Sequence, residues 1–462
     1  MRGILAAGAY LPRGRLDRAQ IAPFVGTGGG KGTRAVASYD EDTTTMGVEA
    51  ARLALRSAPA RVTPDALWFS TVAPAYLDKT NATAIHAALR LDHDVPAIDL
   101  GGAARSATGA LAIALAGGGT TLVVSADVRT GLPGSGDEAA GGDAAAALLV
   151  GYGDDVIAEH LAEGSATEEF LDRWRTPGDA RSKQWEERFG ETKYVALAER
   201  AWTAALKKAE LEAGAVHTVL IAGLHGRAAR VVGGRLGVAK EAVADDLTGM
   251  VGNPGAAHAG LLLTCALEQA TAGQVIALVS LADGADVQLF RTTDAITSYA
   301  AARSVDAQLA SGADLPYGKF LAWRGMLPVE PPRRPEPQRV SASAAGRTED
   351  WKFGFVGNRA ADTGTVQLPP LPGGGEPVPM ADVRGTIVTF TVDRLAYSPS
   401  PPIVFAVVDF DGGGRFPVEL TDVKADDVRI GGRVEMTFRK LFTADGIHNY
   451  FWKARPAPEK ET

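Results

Sequence analysis

The sequence predicts a large layered α/β domain followed by a small all-β barrel. Two observations support this prediction. Up to about residue 295, short apolar runs alternate with alanine-rich helical stretches, and after residue 380 several strand-like segments follow one another at hairpin spacing. The first pattern is typical of layered α/β folds with a largely parallel sheet. The second is typical of small barrels.

Buried strands of the first domain are predicted from four apolar runs, at residues 66–71, 121–126, 218–222 and 275–281. Helices are predicted between these runs, for example over Met46–Ser57 and Tyr194–Glu210. Both helical stretches are long enough to cover one face of a sheet. The predicted layered domain therefore spans residues 1–295.

The rest of the chain divides into three predicted segments. Residues 296–350 form a helical and proline-rich connector, because residues 328–339 are rich in proline and arginine and should be extended. Residues 351–380 end in a Pro/Gly stretch (366–380) without a strand period. Residues 381–462 contain five strand-like segments, two of them separated by the turn signal Asp411–Gly414. Five short strands predict a barrel of the OB type.

The composition excludes several classes of function. The 462 residues carry a net charge of -8, which creates no field favouring nucleic acid or an anionic membrane. No apolar run reaches the roughly 20 residues that span a bilayer. Cys265 is the single cysteine, which excludes an internal disulfide and a cysteine metal cluster. We therefore expect a cytoplasmic protein without a nucleic-acid or membrane partner.

Four segments carry a specific resemblance: residues 32–55, 97–115, 141–151 and 250–268. Together they resemble 3-hydroxy-3-methylglutaryl-CoA synthases and ketoacyl-ACP synthase III, members of the thiolase superfamily. The resemblance implies a five-layered αβαβα fold of two similar halves. It also implies a homodimer formed through this domain and an acyl-CoA substrate, with no cofactor other than this CoA thioester.

The C-terminal part resembles a second family through residues 317–327, 351–370 and 449–456. These segments are similar to OB-fold proteins that follow a zinc ribbon and accompany thiolases as subunits or fused tails. Where that family has its first CxxC pair, this chain has Ala360–Thr363, and the Pro/Gly stretch replaces the second pair. Without thiolates there is no tetrahedral zinc site. We therefore expect a degenerate zinc ribbon over 351–380, no bound metal, and a thiolase or hydratase as a possible partner protein.

The first resemblance also shows which chemical groups are missing. The family cysteine, which takes the acyl group at a helix N-terminus, corresponds to Ala104, and the acid/base glutamate corresponds to Val72. An alanine cannot form a thioester, so the usual acyl-enzyme route is lost. A hydroxymethylglutaryl-CoA synthase-like acyltransferase activity is supported by resemblance only.

Other polar positions of the resembling families are kept. His225 corresponds to the histidine that polarises a thioester carbonyl, and Asn253 corresponds to the substrate-binding asparagine. We expect both to point at one thioester oxygen close to Ala104. His258 and Tyr76 are candidate proton acceptors. The alternative for each histidine is a hydrogen-bonded structural residue of the core.

Three further features bear on the substrate. Arg34 and Arg230 are candidate ligands for the phosphates of CoA, since arginine suits phosphate. Residues 165–194 form a charged, Trp-bearing insertion at the place where relatives put a cap over the acyl tunnel or contacts to a partner subunit. A solvated helical hairpin is the alternative for this insertion.

Two hypotheses from different classes follow. The first is an enzyme that makes or breaks a C–C bond next to an acyl-CoA carbonyl without a covalent acyl-enzyme, as in an aldol or retro-aldol step on a β-hydroxyacyl-CoA. The second is a non-catalytic subunit that stabilises or docks a thiolase or hydratase. A CoA-sized tunnel that is open to His225 and Asn253 favours the first hypothesis, and a tunnel plugged by side chains favours the second.

Overall fold

The computed structural model describes residues 1–59 and 62–458. The chain divides into two compact units. The first consists of Met1–Ser38, Asp42–Thr83 and Leu91–Leu321, and the second consists of residues 39–41, 84–90 and 322 onward. The sequence placed the end of the first domain at residue 295, and the structure moves this boundary to Leu321. The reason is that residues after 295 add a strand and a helix to the first unit.

The strands up to residue 321 are β1 (Arg2–Tyr10), β2 (Gly14–Asp17), β3 (Thr33–Val36), β4 (Ala66–Ser70), β5 (Ala97–Asp99), β6 (Thr121–Asp127), β7 (Ala144–Tyr152), β8 (Ala158–Ala166), β9 (Arg173–Trp174), β10 (Lys183–Gln184), β11 (Thr218–Gly223), β12 (Val275–Leu281), β13 (Ala285–Thr292) and β14 (Ala313–Asp314). The four predicted strands correspond to β4, β6, β11 and β12. Strand β14, beyond the predicted boundary, pairs with β2.

The helices that begin before residue 322 are α1 (Ile21–Val25), α2 (Thr43–Ser57), α3 (Ala82–Leu89), α4 (Arg105–Ala116), α5 (Gly136–Ala140), α6 (Glu187–Ala209), α7 (Gly226–Gly233), α8 (His258–Gln269), α9 (Val305–Ala310) and α10 (Tyr317–Trp323). The two predicted helices correspond to α2 and α6. Asp42 is the N-terminal cap of α2 and forms a capping box. Its side chain accepts a hydrogen bond from the N–H of Thr45, and the side chain of Thr45 accepts one from the N–H of Asp42.

Within the described residues, nine strands form one sheet in the order β11-β12-β13-β8-β1-β7-β6-β4-β5. Three neighbouring pairs are parallel, and the other five are antiparallel. The prediction of a largely parallel sheet is therefore wrong. A short turn joins β12 to β13, which permits only antiparallel pairing. Strand β1 also lies antiparallel to both of its neighbours, a direction that local apolar runs do not encode.

The nine strands form two halves with helices between and outside them. The halves meet where β1 pairs with β8 over only two residue pairs, Gly3 with Glu159 and Ile4 with Ala158. Helices α4 and α8 contact strands of both halves, whereas α2 packs on the first half and α6 on the second. This arrangement is the five-layered αβαβα order that the resemblance implied. It places the N-terminus of α4 in the middle of the unit.

The second unit contains the helices α11 (Ala342–Arg347) and α12 (Glu349–Lys352), with the strands β15 (Val356–Arg359), β16 (Val366–Gln367), β17 (Glu376–Pro379), β18 (Gly385–Asp393), β19 (Ile403–Phe410), β20 (Arg415–Leu420), β21 (Arg433–Ala444) and β22 (Ile447–Pro456). Strands β18 to β22 close a barrel in the order β18-β19-β20-β22-β21, which confirms the predicted five-stranded barrel.

A three-stranded sheet precedes the barrel, with β15 between β16 and β17. The sequence predicted no strand over 366–380, and this prediction is wrong. Both new strands lie at sheet edges, where proline is tolerated because one side of the strand needs no hydrogen bonds. In the described part of the chain, no helix is long and apolar enough to cross a membrane.

Candidate functional site

Ala104 lies directly before α4, in a cavity of about 670 Å³. The chain enters this helix through Gly101 and Gly102, and Gly102 has a φ of +101°, which favours glycine. Val72 and Tyr76, from the loop after β4, line the same cavity. Both positions of the lost chemical groups, Ala104 and Val72, therefore face one cavity together with the candidate Tyr76. The cavity is open, and the positive end of the α4 dipole lies beside it.

The charged insertion forms another wall of this cavity. Residues 172–179 line it, and the Arg175 guanidinium donates a hydrogen bond to the carbonyl of Val72. The insertion contains the short antiparallel pair β9–β10 before α6 begins. It therefore lies where the cap interpretation expected it, and it is not the helical hairpin of the alternative.

His225 is buried and is the N-terminal cap of α7. Its Nδ1 accepts the N–H of Ala228 at 3.0 Å, and its Nε2 donates to the carbonyl of Glu187 at 2.9 Å. This pattern requires the neutral tautomer with the proton on Nε2. His225 lines a second cavity and not the cavity of Ala104. In this structure both ring nitrogens are therefore engaged by the main chain.

Asn253 and His258 lie together, with the Asn253 amide nitrogen 3.3 Å from His258 Nδ1. The same amide donates to the carbonyl of Gly223 at 2.6 Å, and His258 Nε2 lies 2.9 Å from the carbonyl of Asp246. Burial lowers the pKa of His258, so its imidazole is neutral. The described residues that line the Ala104 cavity include neither of the two.

The predicted convergence of His225 and Asn253 on one oxygen beside Ala104 is not what this structure has. Instead, His225 donates to the carbonyl of Glu187, and the Asn253 amide donates to the carbonyl of Gly223 and lies beside His258 Nδ1. The reason lies in the loops that carry them, since the cap of α7 and the turn before α8 both use these polar groups to satisfy backbone atoms. The catalytic roles proposed for His225, Asn253, His258 and Tyr76 stay predictions.

Arg34 does not reach a ligand in this structure. Its side chain is fully buried, donates to the carbonyls of Glu138 and Arg129, and lies 3.5 Å from Asp143. An arginine that binds the phosphates of CoA needs contact with solvent, so the prediction for Arg34 is corrected. A buried ion pair of this kind organises the core around it. Sequence alone does not separate a buried arginine from an exposed one on a short strand.

Arg230 lies on the exposed face of α7, at the wall of the second cavity, which measures about 790 Å³. Cationic side chains predominate over acidic ones in this wall; the cations are Arg173, Arg181, Lys183, Arg227 and Arg230, and the acids are Asp137 and Glu187. Arg173 pairs with Asp137. The two cavities share wall residues, among them Trp174 and Leu224. A basic cavity thus adjoins the cavity of Ala104.

Comparison with known proteins identifies the family. A hydroxymethylglutaryl-CoA synthase of Aeropyrum pernix is 31% identical to this chain over 345 residues, which covers 71% of this chain and 95% of the relative. The chain belongs to the hydroxymethylglutaryl-CoA synthase family.

Two solved structures have a similar fold. An HMG-CoA synthase complexed with CoA matches with a TM-score of 0.58 at 18% identity, covering 69% of this chain and 89% of that one. The 3-oxoacyl-(acyl carrier protein) synthase III of Pseudomonas aeruginosa PAO1 matches with a TM-score of 0.56 at 21% identity, covering 63% and 98%. Residues 377–439 match the family model described as "ChsH2, C-terminal OB-fold domain". These findings confirm both predicted folds.

In this member of the hydroxymethylglutaryl-CoA synthase family, the cavity residues that the sequence did not predict as site residues include Asp172, Tyr194 and Asp283. Asp172 and Tyr194 belong to the charged insertion, for which the resemblance implies a cap but does not distinguish single site residues. Asp283 lies in the Asp-Gly turn between β12 and β13. An Asp-Gly turn signals a hairpin and gives no indication of a site.

The residues at the former zinc ligands do not fit a metal. Ala360 and Thr363 lie in a turn closed by hydrogen bonds from Ala360 N to Thr365 O at 2.9 Å and from Gly364 N to Ala360 O at 2.8 Å. Neither side chain is a zinc ligand. Within residues 1–59 and 62–458, no group of three or more His, Cys, Asp and Glu side chains is placed to hold a metal ion. The expected lack of zinc stays a prediction.

Proposed function

We propose that this protein binds an acyl-CoA and makes or breaks a C–C bond next to the thioester carbonyl without a covalent acyl-enzyme. One observation carries the proposal: the cavity around Ala104 is open, has both polar and apolar groups in its lining, and shares wall residues with a basic cavity. Volumes of about 300–1,000 Å³ are typical of ligand sites. The family relatives are named for chemistry on acyl-CoA, and loss of the nucleophile removes only the acyl-transfer step.

The two cavities suit the two ends of an acyl-CoA. The basic cavity offers exposed cations such as Arg230 and Arg227 to the phosphates. The cavity of Ala104 then receives the thioester. There the N-terminus of α4 supplies positive partial charge, which stabilises an enolate or another oxyanion. Stabilisation of an enolate is the requirement shared by aldol and retro-aldol steps.

The second candidate function is a non-catalytic subunit that docks or stabilises a thiolase or hydratase. The observation that favours it is that the side chains of His225 and Asn253 donate hydrogen bonds to main-chain carbonyls. Two polar groups of the family site therefore have a structural role in this fold. Under this hypothesis the cavity binds a ligand or nothing, and no turnover follows. The two candidate functions therefore share one fold and differ in whether the protein converts an acyl-CoA into products.

We also propose a homodimer formed through the first unit. Strand β5 lies at the edge of the nine-stranded sheet, and Ile98 on this strand is 44% exposed. An edge strand with an exposed apolar residue is a site for pairing with another chain. Sedimentation of the full chain should give twice the monomer mass, and Ile98→Lys should shift the species towards the monomer.

A nucleophile returned to the site tests the binding part of the proposal. Ala104→Cys should become acylated when incubated with acetyl-CoA, because a thiol at a helix N-terminus has a lowered pKa. Ser106→Cys is the matched control, since two residues along a helix turn the side chain by about 200°. The native Cys265 should not react, because burial raises its pKa to about 11. Intact-mass spectrometry measures the adduct.

The unmodified chain, incubated with straight-chain and 3-methyl-branched 3-hydroxyacyl-CoAs, tests the chemistry. The proposal expects an acyl-CoA and a carbonyl product by mass spectrometry from at least one of them. Adduct formation on Ala104→Cys without any cleavage product would support the docking subunit. No adduct, or equal adduct on Ser106→Cys, would refute acyl-CoA binding at this cavity.

A further inference from the structure

The turn between β12 and β13 brings a carboxylate into the cavity of Ala104. Asp283 occupies this turn with a φ of +47°, and Ala282 N donates to Gly284 O at 3.2 Å to close it. Asp283 lines the cavity together with Ala104 and Val72. We propose that Asp283 is the proton acceptor for the β-hydroxyl of the substrate. This inference rests on the proposed function.

The position of Asp283 is fixed relative to the lost nucleophile. Arg105, the residue after Ala104, donates from Nη1 to the main-chain carbonyl of Asp283 at 2.9 Å. The same guanidinium makes two bonds to Asp286, at 2.8 and 3.0 Å. The turn is thus tied to the first residue of α4 by a bidentate ion pair, which is a rigid geometry. The β12–β13 turn and the N-terminus of α4 therefore line the same site in a fixed relative position.

The carboxylate of Asp283 remains available to a ligand. The hydrogen bonds between described residues use the main chain of Asp283: its carbonyl accepts from Arg105, and its N–H donates to the Tyr194 hydroxyl at 3.3 Å. Its side chain is exposed at the cavity and accepts no hydrogen bond from a described residue. A base must have such a free oxygen in contact with the substrate.

The surroundings of Asp283 adjust its basicity. Burial raises its pKa, the Asp172 carboxylate raises it further and Glu169 adds to this, whereas Arg105 lowers it. Burial, followed by Asp172, also raises the pKa of Tyr194, which therefore remains a neutral hydroxyl. Asp172 itself is buried, with one carboxylate oxygen that has no hydrogen-bond partner. Asp172 and Tyr194 are positioning residues in this account, because they act through Asp283.

The step balances without any co-reactant. The Asp283 carboxylate takes the proton of the β-hydroxyl, the Cα–Cβ bond breaks, and the hydroxyl carbon becomes a carbonyl. The electron pair of the broken bond moves to Cα and forms the enolate of the acyl-CoA. The protonated Asp283 then returns its proton to Cα, which gives the free acyl-CoA. In the reverse direction the same group removes the Cα proton and the steps make the bond.

The test compares Asp283→Asn with Asp445→Asn in the full chain. Asp445 is also followed by glycine in a hairpin turn, with a φ of +51°, and it lies in the barrel unit. Asparagine tolerates this backbone conformation, so both variants should fold. Asp283→Asn should lower cleavage of 3-hydroxyacyl-CoA by about 100-fold or more, the usual loss when a general base is removed. Asp445→Asn should leave it unchanged.

A pH profile adds a readout that a merely structural role would not move. The rate should rise as pH rises through the pKa of Asp283, because only the ionised carboxylate accepts the proton. Asp172→Asn removes the neighbouring charge and should shift this acidic limb to lower pH. Asp283→Glu, which keeps a carboxylate, should retain a measurable part of the rate with a similar limb.

The outcomes separate this inference from the proposed function. Cleavage by the unmodified chain with an unchanged rate in Asp283→Asn overturns the inference alone. If the unmodified chain cleaves none of the substrates and exchanges no α-protons of butyryl-CoA in D₂O, both the proposed function and the role of Asp283 are overturned. If Asp283→Asn loses cleavage but still binds CoA as tightly as the unmodified chain, the inference stands.

Discussion

The cavity of Ala104 and the turn at Ala360–Thr363 have both lost the side chains that their families use, and they differ in what remains. Around Ala104 the cavity is open, and α4 still begins beside it. The turn at Ala360–Thr363 is closed by its own main-chain hydrogen bonds, and Ala360 is buried. One site kept an open cavity, and the other is an ordered turn without metal-binding side chains at Ala360 and Thr363.

Other interactions hold the second unit together. Aromatic rings of Trp351, Phe355, Phe416 and Phe451 contact one another with centroid distances of 5.0–6.2 Å. Such contacts add to the burial of large apolar surfaces. The unit therefore has an aromatic core of its own.

Buried ions add a second support within this unit. Lys453 pairs with Glu419 and lies 3.0 Å from Asp40, and Arg439 lies 2.8 Å from Asp422. Lys453 and Arg439 are fully buried. This network connects barrel strands with residues 39–41, which belong to the same unit.

What must replace a lost side chain depends on the role that this side chain had. A catalytic thiolate contributes to chemistry and little to folding, so its loss leaves the scaffold intact. A structural zinc ion contributes its binding free energy to folding directly. Loss of its ligands is compatible with a folded unit only where packing and ion pairs supply the stability instead.

The largest expected effect is in the ion network. Lys453→Met removes the cation that pairs with Glu419 and leaves Asp40 with Arg439 at 3.8 Å, which should destabilise the second unit by about 3–5 kcal/mol. Lys424→Met, at an exposed lysine of the same unit, is the control. Chemical denaturation followed by tryptophan fluorescence measures the difference. Equal stability of the two variants would show that the network does not hold the unit.

A smaller effect is expected at His225 in the first unit. His225→Ala removes the cap of α7 and the bond to Glu187, which should cost about 1–2 kcal/mol. His225→Asn keeps a capping side chain and should recover part of the loss. The measurement is the free energy of unfolding. If His225→Ala instead keeps full stability and lowers cleavage about 100-fold, His225 is an oxyanion donor as the sequence predicted.

A still smaller effect is expected at Ala104. Ala104→Ser should change the free energy of unfolding by less than about 0.5 kcal/mol, as for substitutions away from packed or strained positions. This outcome would match a site whose lost residue served chemistry alone. A loss of several kcal/mol in the free energy of unfolding would mean that the cavity wall is tightly packed at Ala104. It would contradict the view that the lost residue served chemistry alone.

No effect is expected from metal removal. Treatment with EDTA should shift the melting temperature by less than about 1 °C, because the loss of a structural zinc ion would remove roughly 10 kcal/mol or more. Elemental analysis of the untreated protein is the companion measurement. About one zinc per chain would contradict the expectation and would place a metal in the second unit.

The sequence by itself determined the elements and the missing chemistry. The four apolar runs correspond to β4, β6, β11 and β12, and the five barrel strands lie where alternation and turn residues placed them. Both signals are local, since strand formation depends on residues a few positions apart. The absence of a thiol at Ala104 is likewise a property of one position, read by resemblance.

The tertiary structure decided strand direction, burial and the members of the site. The antiparallel order around β1, the burial of Arg34 and the meeting of Asp283 with Asp172 and Tyr194 all depend on pairs more than 80 residues apart. Local patterns carry no information on such pairs, because contacts between distant residues arise only when the layers pack. For the same reason His225 looked like a free donor in the sequence, and the fold directs it to the carbonyl of Glu187.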